Sequence, residues 1–436
     1  MFKFSTLILA TAIVCQVKTQ SLYFPPTTGI QWDTLSPESL EYCPSKIERL
    51  YAFLDTNNTK AFVLLKDGKI VLEKYFGSHN QSALWQWASA GKTITSFVVG
   101  IAQQEGFLSI NDKTSKFLGQ GWTNCTLPQE EKITIHHQLT MTSGLDEAVA
   151  DPFCTLDSCL KYKANSGTRW AYHNGPYTLL DRVIENATGQ TLNSFATQKL
   201  KSQIGMTGSF VRVGYNNVFF SNARSMARFG LLILNKGNWN GIQILKDTNY
   251  FKQMTTTSQS INNSYGYLWW LNGKQNFMIP SSQILFPGTL IPNAPSDMIS
   301  AMGKGGQFLN IIPSQNMVWI RMGDEPANTL VPFLLNDDIW KYINDLKCAT
   351  NGLNHQEDPN QKVQLNLNPN NDILYLKSEK QIINVEILNL KGQLVKSLNS
   401  QNLEVSILIS DIQKGLYFVK AMLSDGSVWN GKTVLK

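Results

Sequence analysis

The sequence predicts an α+β domain followed by a small all-β module. Three observations carry this. Strand-like runs lie at both ends of the first 348 residues with helix-patterned segments between them, so one sheet must draw on two distant pieces of chain. Of the 436 residues, 42% are hydrophobic and 16% charged, which is globular composition with ample length for a large core. A polar break at 349–362, "ATNGLNHQEDPNQK", then separates this region from residues 363–436, where short alternating strands take over.

Taken in order, the first element is a leader. "MFKFSTLILATAIVCQVKTQ" has an early lysine, an apolar stretch from Leu7 to Val14 and a polar end, the layout of a signal peptide over residues 1–20. It is too short to span a bilayer stably, so no transmembrane segment is expected in the mature protein. "CPSKIERLYAFLDT" reads as a helix, and "AFVLL" and "IVLEKYF" as strands joined by a turn at Lys66 to Gly68. Helical spacing follows from Ser89 to about Leu108, in "TIHHQLTMTSGL", in "PYTLLDRVIENATG" with Gly189 as its stop, and in "SNARSMARFGLLILNKG". Strands return in "GYLWWL", "GQFLNIIPS" and "NMVWIRMG", before a helix around "LNDDIWKYINDLK". In the terminal module "KG", "QKG" and "SDG" punctuate the strands at intervals typical of a small β-sandwich, and it holds no His or Cys.

A formal charge of +6 over this length, with no block of Lys and Arg, excludes a nucleic-acid partner. Export makes disulfides the expected state of the remaining cysteines. Cys154 and Cys159 are placed to close a short loop, Cys43 and Cys348 to clip the two ends of the main domain, and Cys125 is left over. No His/Cys cluster has metal-ligand spacing, His136-His137 being an isolated pair, so neither metal nor cofactor is expected.

The chemistry rests on conjunction and order. "WASAGKTITSFVVG" puts Ser89 at the start of an apolar helix, near free N–H groups and the positive helix end. Lys92, one turn on, shares its face. A lysine normally titrates near 10.4; packed against Ile94 to Ile101, it is expected to lose its proton near neutrality and serve as a base. "TRWAYHNGPYTLL" places Tyr172 and Asn174 on a loop leading into a helix, and a phenol beside a cation can relay a proton. "SAMGKGGQFLNIIP" brings glycines to a strand edge, where a backbone N–H, with that of Ser89, would complete an oxyanion hole. Each short pattern alone is cheap: Ser158 and Lys161 repeat the S-x-x-K spacing, and "YNN" and "YIN" repeat Tyr-x-Asn.

This ordered set resembles the serine β-lactamase and penicillin-recognising superfamily in its class C-like branch, over most of residues 40 to 345. "WASAGKTITSFVVGIAQQEGFLSINDKTSKFL", "GTRWAYHNGPYTLLDRVIENATGQTL" and "SNARSMARFGLLILNKGNWNGIQIL" carry the resemblance. It implies an antiparallel sheet flanked by helices with an all-α subdomain, within a domain spanning 21–348. It implies Ser89 as nucleophile, Lys92 as its partner and Tyr172 as a second base. Asn174, Gly303 and Trp170 would contact substrate, and the oxyanion N–H beyond that of Ser89 would come from Lys304 or Gly305. Neither Lys-Thr-Gly nor Ser-Asp-Asn occurs, so an ester or amide, as in the 6-aminohexanoate-oligomer hydrolases and esterases, is expected over a β-lactam. The alternatives are a class C-type β-lactamase or D-alanyl-D-alanine carboxypeptidase, and an inactive binding protein on the same scaffold. Residues 272–300, apolar and with four prolines, are expected to form a lid over the acyl pocket. The module at 363–436 resembles the type IX secretion sorting domain of Bacteroidetes in "LNPNNDILYL", "VEILNLKGQLV" and "ILISDIQKGLYFVKA". That implies secretion machinery as a partner and a secreted or cell-surface location.

Overall fold

The computed structural model describes residues 22–326, 329–348, 363–368, 372–389 and 393–435. The leader expected at 1–20 and the linker expected at 349–362 lie outside the described residues. The chain divides after Cys348 into two compact units.

The first unit opens with helix α1 (Pro44–Thr56), which buries Ile47, Leu50 and Leu54 at helical spacing. Strands β1 (Thr59–Lys66) and β2 (Lys69–Tyr75) form the expected hairpin. Helices α2 (Lys92–Gln104), α3 (Leu180–Thr188) and α4 (Ala223–Leu234) follow among shorter helical turns. The chain then returns through β3 (Trp270–Leu271), β4 (Ile299–Gly303), β5 (Gln307–Ile312), β6 (Met317–Gly323) and helix α5 (Phe333–Asn344). Among the described residues these strands make one antiparallel sheet, ordered β2-β1-β6-β5-β4-β3. The first hairpin therefore pairs with the last long strand, as expected from strand runs at both ends.

Helices cover both faces of the sheet. Val318 faces Gly230 of α4, while its neighbour Trp319 meets Trp340 of α5 at 5.8 Å between ring centroids. Alternation along a strand puts these two helices on opposite sides. That is why β5 and β6 are buried throughout and largely apolar on both faces instead of alternating. The domain ends are tied: Cys43 bonds Cys348, and each donates its backbone N–H across the join, to Leu346 at 2.8 Å and from Cys348 to Glu41 at 2.7 Å. Cys154 bonds Cys159 and Cys125 is free, matching the expected pairing.

Two sequence expectations need correction. "GYLWWL" is strand only at Trp270–Leu271, because Leu268 adopts a left-handed φ of 64° and its N–H bonds Leu139 instead of a strand partner. The helix in "TIHHQLTMTSGL" stops at Leu139, since Met141 is also left-handed, with φ 58°. His137 belongs to the cap of that helix, its Nδ1 lying 3.0 Å from the Thr134 hydroxyl.

The second unit is a curled antiparallel sheet. A long hairpin of β8 (Ile373–Leu388) and β9 (Leu394–Leu408) carries β7 (Val363–Asn368) on the first half of β8 and β10 (Gly415–Leu423) on its second half. Strand β11 (Val428–Leu435) completes it beyond β10. Leu374, Leu376, Val385, Ile407 and Val419 form its small core. Among the described residues no helix is long and apolar enough to cross a membrane.

Candidate active site

Ser89 sits in a 3-10 turn, Ala88–Gly91, one turn ahead of α2. The turn is anchored from below: the Trp87 N–H donates to Phe219 O at 2.8 Å and its indole to the Ser221 hydroxyl at 2.8 Å. Ala88 has a left-handed φ of 45°, strained for a residue with a Cβ, and this kink turns Ser89 out of the core. Lys92, the first residue of α2, points back along the helix and brings Nζ to 2.9 Å from Ser89 Oγ.

Around Lys92 the walls are aromatic. Its ammonium lies 4.4 Å from the ring centroid of Tyr177 and 5.2 Å from that of Tyr172. Burial lowers the Lys92 pKa to about 7, against a smaller upward pull from the Asp181 carboxylate. Burial pushes the Tyr172 phenol well above its ordinary value, with a hydrogen-bonding contact to Ser89 acting the other way. Tyr172 is therefore a protonated phenol at neutral pH, and the free base of the pair is Lys92. Burial thus disfavours a Tyr172 phenolate, and with it the role of second base that the resemblance implies.

These groups line a cavity of about 390 Å³. Ser89, Lys92, Tyr172, Asn174 and Lys304 all reach it, so the structure gathers most of the residues singled out from the sequence. Gly303, at the end of β4, runs beside the serine turn: a Cβ there would lie 2.9 Å from Ser89 N and 2.5 Å from Trp87 O, so only glycine allows the approach. Lys304 follows at the cavity wall, whereas Gly305 faces Gln307 and Gly323 on the far side. Trp170, expected as a substrate contact, is wholly buried. Its ring packs on Tyr265 at 5.4 Å, Trp270 at 6.1 Å and Tyr172 at 6.4 Å, so it props the phenol instead of facing the cavity. Of the expected lid, Pro280 and Ser281 join the wall, and the segment is braced by the Phe277–Phe286 stack. Ser158 and Lys161, the second S-x-x-K pair, lie outside this cavity. Among the described residues no group of His, Cys, Asp and Glu could hold a metal ion.

Residues 58–328 match the family described as Beta-lactamase. The chain belongs to the β-lactamase family. Residues 368–436 match the secretion system C-terminal sorting domain, which points to secretion or cell-surface export. An uncharacterized protein of Alkalihalophilus pseudofirmus is 25% identical over 313 residues, covering 63% of this chain and 86% of that relative. Protein flp of Staphylococcus aureus is 26% identical over 178 residues, 36% of each chain. A putative 6-aminohexanoate-dimer hydrolase from Bacillus anthracis superposes with a TM-score of 0.55 at 20% identity, covering 74% of this chain and 91% of that one. A putative β-lactamase from Bacteroides dorei gives 0.55 at 17% identity, covering 70% and 99%. At these identities the two structures share the fold of this β-lactamase-family chain.

Several residues that build the site were not singled out from the sequence. Arg321 of β6 is fully buried and donates to the carbonyls of Gly305 at 2.9 Å and Gly306 at 2.7 Å, fixing the turn after β4. Gln307 helps, donating to Lys304 O at 3.1 Å and Gly323 O at 2.6 Å. A charge inside the apolar run "MVWIRMG" was the available signal for Arg321. Tyr177, Leu180, Asp181 and Ile184 are buried at helical spacing, and Asp181 is an acid where that spacing calls for an apolar residue.

Proposed function

We propose that the chain is an exported serine hydrolase that cleaves an ester or amide through a Ser89 acyl-enzyme. The observation that carries this reading is the 2.9 Å contact between Ser89 Oγ and a buried lysine with a pKa of about 7. A neutral Lys92 takes the Ser89 proton as Oγ attacks the carbonyl carbon and the π pair moves to oxygen. The N–H groups of Ser89 and Lys304 receive the oxyanion; the nearness of Gly303 to Ser89 N, and the position of Lys304 on the cavity wall while Gly305 is buried against Gln307 and Gly323, favour Lys304 as the second donor. Collapse expels the leaving group, which takes the Tyr172 hydroxyl proton as the Lys92 ammonium reprotonates Tyr172 and returns to the neutral amine. Water then attacks the acyl carbon with Lys92 again as base, releasing the acid and restoring Ser89.

Esters and amides are favoured over β-lactams by the lack of Lys-Thr-Gly and by a wall that includes Phe153, Pro280 and Leu330. The 6-aminohexanoate-dimer hydrolase neighbour agrees with a linear amide in particular. One observation supports a second reading, a β-lactamase or D-alanyl-D-alanine carboxypeptidase: Lys304 brings an ammonium to the cavity wall, where a carboxylate would pair with it. The sorting domain supports export as the route to the substrate. Ser89→Ala is expected to abolish turnover of a p-nitrophenyl ester while the protein stays folded. Full activity in that variant would overturn the assignment.

A further inference from the structure

Asp181 has no role in the scheme above, yet it lies at the base of the site. It is 2% exposed on α3, and its Oδ1 has no hydrogen-bond partner among the described residues. Oδ2 accepts a 2.8 Å hydrogen bond from Asn217 Nδ2, and Asn217 itself lines the cavity. Four residues before it, in the short helix Asn174–Thr178 that leads into α3, is Tyr177, whose ring lies under the Lys92 ammonium and whose hydroxyl is 3.3 Å from Thr95 on α2. Helix α3 packs directly on α2, so the buried Asp181 and the buried Lys92 sit on two helices in contact, with the Tyr177 ring against the lysine.

We propose that Asp181 is a positioning residue that acts as the buried counter-charge for Lys92, stabilising the lysinium formed each time Lys92 takes a proton. This rests on the reading of Lys92 as the base. The proton balance is simple: the Ser89 proton goes to Lys92 Nζ, Asp181 takes none, and the pair passes from one net negative charge to neutrality. Without Asp181 the same transfer would leave a lone cation in an aromatic box, which burial penalises heavily. The arrangement is analogous to the buried acid that stabilises an imidazolium in a serine triad.

The groups facing the pair are few. Ser89, Tyr172 and Tyr177 face Lys92; Asn217, Arg212 and Glu185 act on Asp181, with Lys92 itself. Burial raises the Asp181 carboxyl to about 7, while the Asn217 amide, Arg212 and Lys92 pull it down. The productive form, neutral Lys92 with ionised Asp181, therefore needs two protons lost over one pH range. The acid limb of kcat/KM in the wild type should have a slope above one.

Two substitutions shift that limb in opposite directions. Asp181→Asn keeps an acceptor for Asn217 and removes the charge that holds Lys92 protonated. The limb should move down by about one pH unit and its slope fall to one, while kcat on the plateau drops about tenfold or more with KM little changed. Asn217→Ala removes the donor that favours the carboxylate, so the limb should move up. The experiment is a pH profile of ester hydrolysis by the wild type, both variants and Lys92→Met, with folding checked by circular dichroism. If Asp181→Asn leaves limb, slope and kcat unchanged while Lys92→Met is inactive, the counter-charge role is refuted. If Lys92→Met keeps full activity, the mechanism itself fails instead. A fall in kcat with an unmoved limb would assign Asp181 a purely structural role and also overturn the proposal.

Discussion

Lys92→Met should make the protein more stable at neutral pH, and by an amount that depends on pH. The lysine falls from an ordinary pKa of 10.5 to about 7 on folding. Between those values the unfolded chain holds a proton that the native state does not, so wild-type stability rises with pH across that window. Linkage puts the cost of burying Lys92 at about 4 kcal/mol at pH 7 and about 1.4 kcal/mol at pH 9.5. Methionine matches the length of the lysine stem, and its packing contribution is the same at both pH values. The stability gap between variant and wild type should therefore shrink by about 3 kcal/mol from pH 7 to pH 9.5. Urea unfolding followed by tryptophan fluorescence at the two pH values measures it. An equal gap at both, whatever its size, would show that Lys92 keeps its proton in the folded protein and would remove the base from the mechanism.

Two further outcomes follow from the walls of the cavity. Replacing Cys154 and Cys159 with serine should cost about 2 kcal/mol of stability and raise KM more than it lowers kcat. Pro152 and Phe153, which line the cavity, lead directly into that loop, and Gly175 donates its N–H to Pro152 O at 3.0 Å; unchanged steady-state kinetics would separate the bridge from the site. In a panel of short-chain nitrophenyl esters, a linear aminohexanoate dimer, a D-alanyl-D-alanine peptide and nitrocefin, the esters should be turned over faster than nitrocefin. Nitrocefin hydrolysis at about 10⁶–10⁸ M⁻¹s⁻¹ would instead favour the β-lactamase reading and give Lys304 the carboxylate-binding role.

Much of the fold was legible because its signals are local. The KDG hairpin, the Gly189 stop and the apolar runs of β5 and β6 each state their own conformation, and both disulfides followed from where the cysteines fall. The misread segments are those in which tertiary bonds override pattern. Leu268 and Met141 are hydrophobic residues in hydrophobic runs, yet both take left-handed backbones and bond to segments far away in sequence, the Leu268 N–H donating to Leu139 O and the Met141 carbonyl accepting from the Ala171 N–H. At the site the same division holds. Ser89 and Lys92 share one helical turn, so their contact could be read from spacing. Asp181 and Arg321 could not: each acts across the fold, one toward Lys92 and the other on the Gly305–Gly306 turn. Trp170 was misplaced for a related reason, since an aromatic next to a motif reads the same whether it faces the cavity or backs it.

The central claim, an activated Ser89 that forms a covalent acyl intermediate, is tested most directly by labelling. The purified protein is exposed to a fluorophosphonate at pH 8, where Lys92 is largely neutral, and its intact mass and modified peptide are determined. The account predicts one adduct per chain, carried by Ser89, with labelling that declines as the pH falls through about 7. An unmodified protein, or an adduct on any other residue, would contradict it.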